Sequence, residues 1–389
     1  MSVPGSSITA NVLAQNLLTD GPDQYAVLIT STGRVRVGRR AARGEWTTTT
    51  IPATMLGQPV TGDEHCYPTL ALDDDGFIFV WANMHVDPYR CVRSLRPRDI
   101  GGWKQVSLPG KFTRNTYPVV AKLADGTLWL HLRAGALGGP GRGDSHVWMR
   151  RDGQWWYSGK LFKGVNVAGG SGPAVDDATN WSAYPVRPHV EQSGRVHLAW
   201  CWRRYGTDEP AGGDASRTNE LLSYAWTDDG VNWHAIDGTP LALPIDPVAD
   251  TACHTGLVLD QLVNGGGITL DDAGLPHVVI GQNPYHHAWW DGQQWGAEQI
   301  ADPLGGVNLA GFATIHNVDG KLWLLVTQVP APRRLVLVAL DGSEVVELAV
   351  PGVEWSTHAD PGALSGHVEV LVPDGNQFET VTVGLPSLV

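Results

Sequence analysis

The sequence is short of cysteine, of positive charge and of long apolar runs. Its four cysteines, Cys66, Cys91, Cys201 and Cys253, are widely scattered and form no C-x-x-C pair, so no disulfide framework is implied. Lysine and arginine total 27 against 40 aspartates and glutamates, a formal net charge of −13. A phosphate backbone is therefore not an expected partner, because proteins that bind one usually carry a basic face. No apolar run approaches the roughly 18 residues that span a bilayer. The opening stretch, MSVPGSSITANVLAQNLLTD, lacks both the basic region and the apolar core of a secretory signal. The expectation is a cytosolic or virion-associated protein, unless another route exports it. Helical 3.6-residue periodicity of any length is also missing.

What is abundant is glycine (47), proline (26) and tryptophan (17), a composition of many short strands joined by turns. Arginine outnumbers lysine, and Arg90, Arg93, Arg96 and Arg98 cluster; a solvated surface is the simpler reading and a local basic rim the alternative.

One segment recurs. CYPTLALDDDGFIFVWANMH (66–85) matches TYPVVAKLADGTLWLHLRAG (116–135) and, with one extra residue, AYPVRPHVEQSGRVHLAWCWRR (183–204). Each has Tyr-Pro, an alternating strand, a turn ending in glycine and a second strand. Weaker copies bring the turns to seven, at Gly33, Gly76, Gly126, Gly194, Gly274, Gly320 and Gly375. Self-similarity of this kind predicts an all-β chain, a seven-bladed β-propeller of four-stranded antiparallel blades occupying 1–389 as a single domain. Outer hairpins fit at 148–159, 222–236 and 286–298, and TDDGVNW within the second is a degenerate Asp-box turn, structural in role.

Residues equidistant from a hairpin turn face each other. His65 and His85 each stand ten residues from Asp75, and Tyr117 and Arg133 each stand eight from Asp125. Two imidazoles, a phenol and a guanidinium are thus expected at similar heights on one face of adjacent blades. Such a set suits β-elimination at a uronate. A cation neutralises the carboxylate, a base takes the C5 proton and an acid protonates the leaving oxygen. Arg133 offers a bidentate fork, a neutral histidine a base, and Tyr117 a donor or, deprotonated, a base. Structural readings stand beside these: Tyr117 as a blade residue like Tyr67 and Tyr184, each histidine as a strand-end residue, Arg133 as an ion-pair partner. Arg114, Tyr184 and Arg203 occupy the same end of their repeats and are candidate subsite contacts.

The stretch D-E-H-C-Y-P…D-D-D-G-F-I-F-V-W-A-N-M-H, followed by T-Y-P…A-D-G-T-L-W-L-H-L-R-A-G, resembles the BNR-4 propeller group, which includes seven-bladed ulvan lyases and rhamnosyl-glucuronate lyases. The resemblance covers about residues 60–235. It rests on two histidines twenty residues apart and on a tyrosine followed by an arginine sixteen residues later. It implies a polysaccharide lyase acting on an acidic polysaccharide, with a histidine and Tyr117 as the proton-transfer pair, Arg133 and the other histidine neutralising the carboxylate, and no cofactor required. Two departures concern the cleft: ALGGPGRGDSH after Arg133 is long and glycine-rich, and His85 to Tyr117 is short. Some members hold a structural zinc through histidine and cysteine. Here His189 and Cys201 straddle the Gly194 turn, with Cys253 and His254 further on, but no four-ligand spacing is present, and buried core residues are the simpler reading. A structural Ca or Zn has no further support. The alternatives are a non-catalytic carbohydrate-binding propeller, such as a phage tail or cell-surface adhesin component, and a glycoside hydrolase using two of Asp63, Glu64 and Asp87. The arginine triad and Tyr/Glu pair of a sialidase cannot be assembled from these repeats.

Overall fold

The computed structural model describes residues 14–42, 44–57, 63–110, 113–134, 144–164, 181–204, 219–259, 262, 265–281, 285–300, 309–328, 334–351, 359–360, 367–374 and 377–384. Strands dominate, and the one α-helix among the described residues is the single turn Ala53–Leu56. No described helix is long and apolar enough to cross a membrane.

The strands form consecutive antiparallel sheets. Blade 1 runs Leu17–Asp20, Asp23–Ile29, Val35–Arg40, Thr47–Thr50, and blade 2 runs Thr69–Leu72, Ile78–Trp81, Cys91–Ser94, Trp103–Gln105. Blade 3 comprises Asn115–Lys122, Leu128–Ala134, Ser145–Arg151 and Gln154–Phe162, with the short strand His85–Asp87 added to its inner edge. Blade 4 begins with Trp181–Pro185 and His189–Val190, which both pair Val196–Arg204, and continues through Asn219–Thr227. Blades 5 and 6 start at Gly266–Leu270 and Leu309–Val318. The first strands touch their counterparts in neighbouring sheets, so they line the inside of the ring.

The expected seven four-stranded blades are corrected to six. Among the described residues six sheets have four or more strands, while the last, Ala359–Asp360, His367–Asp374 and Gln377–Gly384, has three. The hairpin signal carried this far because it is a backbone demand: six of the seven turn glycines have φ between 75° and 86°, where a side chain is strained. Gly375 lies outside the described residues. Gly194 also meets a second limit, since a Cβ there would sit 2.1 Å from the Ala124 backbone nitrogen of blade 3. The Asp-box turn is structural as expected: Asp229 accepts from the backbone N–H groups of Val231 (2.8 Å) and Asn232 (2.7 Å), and Trp233 beyond it is buried.

Packing follows from the radial arrangement. Apolar clusters fill the gaps between successive sheets, with Trp81, Trp129, Trp148, Trp200, Trp202, Trp233 and Trp323 fully buried. All four cysteines are free and buried. Three members of the arginine cluster are structural: Arg98 pairs with Asp20 of blade 1 at 2.7 Å, Arg90 with Asp87 at 2.9 Å, and Arg93 lies over the Phe77 ring.

The same burial holds several histidines neutral. His131 and His316 are pushed down to about 3, and His146 and His189 to about 4, in each case chiefly by burial. In the unfolded chain these groups take up protons near the ordinary histidine value of about 6.5. Below that pH the unfolded state binds more protons than the folded one, so stability is lost as pH falls from about 6.5 towards 4 and 3. Thermal melts at stepped pH are expected to show a melting temperature flat above neutrality and falling steeply below about pH 6. A flat profile down to pH 4 would contradict this assignment.

Candidate functional site

The glycine turns lie at one end of the inner hairpins, and the candidate residues lie at the other. The register of blade 2 pairs Thr69 with Trp81 and Leu72 with Ile78, and continued outward it sets position 65 opposite 85. The two histidines do meet, but not as partners in one hairpin. His65 lies in a 3-10 turn, Glu64–Cys66, and the chain carrying His85 leaves blade 2 to pair with blade 3, His85 opposite Thr116 and Asp87 opposite Asn115. This detour forces Asn83 and Val86 to φ of 59° and 62°. For a β-branched residue that is a true outlier, held by a hydrogen bond from Val86 N–H to Thr116 Oγ1 at 2.8 Å.

Asp63 brings the pair together. Its Oδ1 accepts from the His65 backbone N–H (3.0 Å) and from His65 Nδ1 (2.7 Å), while its Oδ2 accepts from His85 Nδ1 (2.8 Å). The rings stack with centroids 4.1 Å apart and planes 12° from parallel. The His65 and His85 hydrogen bonds, in that order, hold the Asp63 carboxyl far below the usual carboxylate range despite its partial burial. An ionised Asp63 has only acceptors to offer, so both imidazoles keep their proton on Nδ1 and leave a lone pair on Nε2. Neighbouring Cys66 is no nucleophile: burial first, and the Asp63 charge second, push its thiol up to about 12.

The ligating atoms of Asp63, His65 and His85 lie within 4.8 Å of one another. Both Nδ1 positions nevertheless point their proton at Asp63, which fits a carboxylate-bridged proton pair better than a chelate. His189 and Cys201 are not brought together. His189 pairs His197 and Cys201 pairs Tyr184, four positions apart on one strand, or about 13 Å at 3.3 Å per residue. His254 Nδ1 instead meets Ser223 Oγ at 2.7 Å.

Tyr117 and Arg133 are close but not directly opposite. A bulge between Thr116 and Val119 shifts the register, so that Arg133 faces Thr116, and Tyr117 sits in the bulge with φ of 56°. Left-handed backbone at a buried tyrosine costs of the order of 1 kcal/mol or more and marks functional sites more often than ordinary strand. The Tyr117 ring is 5.7 Å from His65, 6.4 Å from Tyr67 and 6.2 Å from Tyr184, with the Arg133 guanidinium carbon 5.8 Å away. The three Tyr-Pro tyrosines thus run side by side across blades 2, 3 and 4. Their equivalence ends there. Tyr67 donates its hydroxyl to the Pro118 carbonyl at 3.2 Å and is fully buried. Tyr117 stands between a histidine and an arginine.

Tyr184 is also buried, at 4% exposure, and the guanidinium carbons of Arg133 and Arg203 lie 4.8 and 4.4 Å from its ring centroid. Arg203 donates to the Tyr184 hydroxyl (3.2 Å) and to Asn219 (2.9 Å). Arg114 is exposed at the entry to blade 3. Of the carboxylates considered for hydrolysis, Asp63 serves both histidines, and Asp87 accepts from Arg90 and from the His85 backbone; the Glu64 side chain and most of the glycine-rich segment after Arg133 lie outside the described residues. The bridging role of Asp63 escaped the sequence reading. The Asp-x-His spacing of a capped turn was its local signal, and the reach to His85 had none.

An all-β propeller with a carboxylate-bridged histidine pair, a tyrosine and an arginine converging on one face is the class this fold and site define. A profile described as BNR repeat-containing family member matches residues 23–303, and the chain belongs to that family. An ulvan lyase of Alteromonas sp. (strain LOR) is 25% identical over 351 residues, covering 81% of this chain and 65% of that protein. An Ulvan Lyase-PL25 of Pseudoalteromonas sp. (strain PLSV) is 22% identical over 270 residues, covering 60% and 51%. The chain therefore spans between half and two thirds of the length of these relatives. Among solved structures, a polysaccharide lyase PL25 ulvan lyase superposes with a TM-score of 0.73 at 18% identity, over 97% of this chain and 93% of that one. The same kind of lyase bound to -[GlcA(1-4)Rha3S]- gives 0.71 over the same shares at 18% identity. These likenesses speak for the fold.

Proposed function

We propose that the protein is a polysaccharide lyase that cleaves a uronate-containing polysaccharide, of ulvan-like or rhamnosyl-glucuronate type, by β-elimination. The observation that carries this reading is the convergence of the Asp63-bridged His65 and His85 with Tyr117 and Arg133. The names of the two curated relatives support it, and so does the glucuronate-containing ligand of a solved relative.

Arg133 neutralises the substrate carboxylate, which makes the neighbouring C5 proton acidic enough to remove, while His85 stacks on His65 and shares Asp63 with it. His65, its Nδ1 proton held by Asp63, takes that proton on Nε2. The C5–H electron pair becomes the C4=C5 double bond, the C4–O bond breaks, and Tyr117 returns a proton to the leaving oxygen. The products are a new chain end and an unsaturated uronate. Arg114, exposed at the rim, contacts the polymer, with Tyr184 and Arg203 behind Tyr117 and Arg133. The chain is also read as one propeller domain over 1–389, a reading supported by the packing of Ala359–Asp360 in the last sheet against Leu17–Asp20 of blade 1.

The test is ultraviolet absorbance of the purified protein mixed with ulvan, rhamnosyl-glucuronate gums, pectins, glycosaminoglycans and bacterial capsules. Growth of the conjugated-enoate band on a glucuronate–rhamnose polymer is the expected result. Silence across the panel, with one polymer retained in a pull-down, would replace the lyase by a binding propeller.

A further inference from the structure

We propose that Tyr184 and Arg203 are positioning residues for this elimination, a second layer that orients Arg133 and supports the Tyr117 phenol as it gives up its proton. The inference rests on the lyase reading and departs from a direct sugar contact for these two residues. The Tyr184 ring is already occupied by protein neighbours: the Arg133 guanidinium carbon at 4.8 Å, that of Arg203 at 4.4 Å, and the Tyr117 ring at 6.2 Å, 71° from its own plane.

The physical logic has two parts. A guanidinium at a strand end has a long, freely rotating stem, and an aromatic platform limits the planes it can adopt. Tyr184 supplies that platform to Arg133 from the inner strand of the next blade. The platform is itself pinned, because Arg203 donates to its hydroxyl at 3.2 Å and is anchored in turn on Asn219 at 2.9 Å. A phenylalanine would keep the ring and lose the pin.

The second part is charge. Among the described residues, the groups facing Tyr117 include His65, with Asp63 and His85 behind it, together with Tyr67, Arg133 and Tyr184, with Arg203 behind. Two permanent cations on the Arg133 side favour the phenolate that forms as Tyr117 gives up its proton. Arg203 is the more remote, and its removal withdraws one of the two cations that favour that phenolate.

Full kinetics of Tyr184→Phe, Arg203→Met and Arg203→Lys test the idea on a polymer the parent cleaves, with thermal melts to confirm folding. The expected result is a kcat about tenfold lower in Tyr184→Phe and Arg203→Met, with KM within about twofold of the parent. In Arg203→Met the higher pKa of the kcat–pH profile should also rise, and Arg203→Lys should restore its position. A raised KM with unchanged kcat would overturn the proposal in favour of substrate contact. A lowered kcat with no pKa movement and no rescue by lysine would reduce the pair to a structural role. A parent silent on every polymer overturns the lyase reading itself and this inference with it, whereas either of the first two failures leaves the lyase reading standing.

Discussion

Tyr117→Phe is expected to lower kcat by about three orders of magnitude while the melting temperature stays near that of the parent. The substitution removes one oxygen. The ring keeps its neighbours Tyr67, Tyr184 and His65, so the packing and the bulge persist. What disappears is the proton for the leaving oxygen, and positioned acid–base groups are worth about 10²–10⁴ in rate. KM should change little, since the loss lies in the transition state. The contrast with Tyr67→Phe is informative: there the lost oxygen is a buried donor to the Pro118 carbonyl, and the expected effect falls on stability rather than turnover. Steady-state kinetics with a thermal melt of each variant checks both, and full activity in Tyr117→Phe would remove the tyrosine from the mechanism.

Asp63→Asn is expected to cost about 10²–10³ in kcat without emptying the site. A carboxylate accepts from two Nδ1–H groups at once. A carboxamide has one acceptor oxygen and an NH₂ that donates, so one imidazole must present a bare Nδ1 and move its proton to Nε2. In the molecules where that imidazole is His65, the lone pair that takes the C5 proton is gone. The variant also loses a carboxyl that the folded state holds far below the ordinary range. A depressed pKa contributes stability that is complete above the unfolded value of about 3.9 and is lost as pH falls through the folded one. The stability gap between parent and variant should therefore hold at neutral pH and close only below about pH 4. Equal activity in Asp63→Asn, or a gap that closes near pH 6, would contradict the bridging role.

Much of the architecture was legible because its signals are local. A turn that needs positive φ selects glycine, and six of those glycines adopt it; the arithmetic of an antiparallel hairpin then placed His65 near His85. The arithmetic failed where the backbone departs from a regular strand. The bulge at Tyr117 shifts Arg133 by one position, and left-handed conformations at Val86 and Tyr117 fall on residue types that give no sign of them. The strand His85–Asp87, which begins in blade 2 and pairs in blade 3, is set by tertiary contacts such as that of Val86 with Thr116. The link from Asp63 to His85 depends on that crossing and so was invisible, as were the guanidinium contacts that occupy the Tyr184 ring. The blade count was overdrawn because a turn signal reports a hairpin, and a hairpin is only half of a four-stranded blade.

Mass spectrometry of the limit products from a glucuronate–rhamnose polymer tests the central claim most directly, because elimination and hydrolysis cut the same linkage with different balances of atoms. The account predicts oligosaccharides one water lighter than hydrolysis would leave, each with an unsaturated uronate at its non-reducing end. Fully hydrated products would contradict it and transfer the chemistry to a hydrolase on the same scaffold.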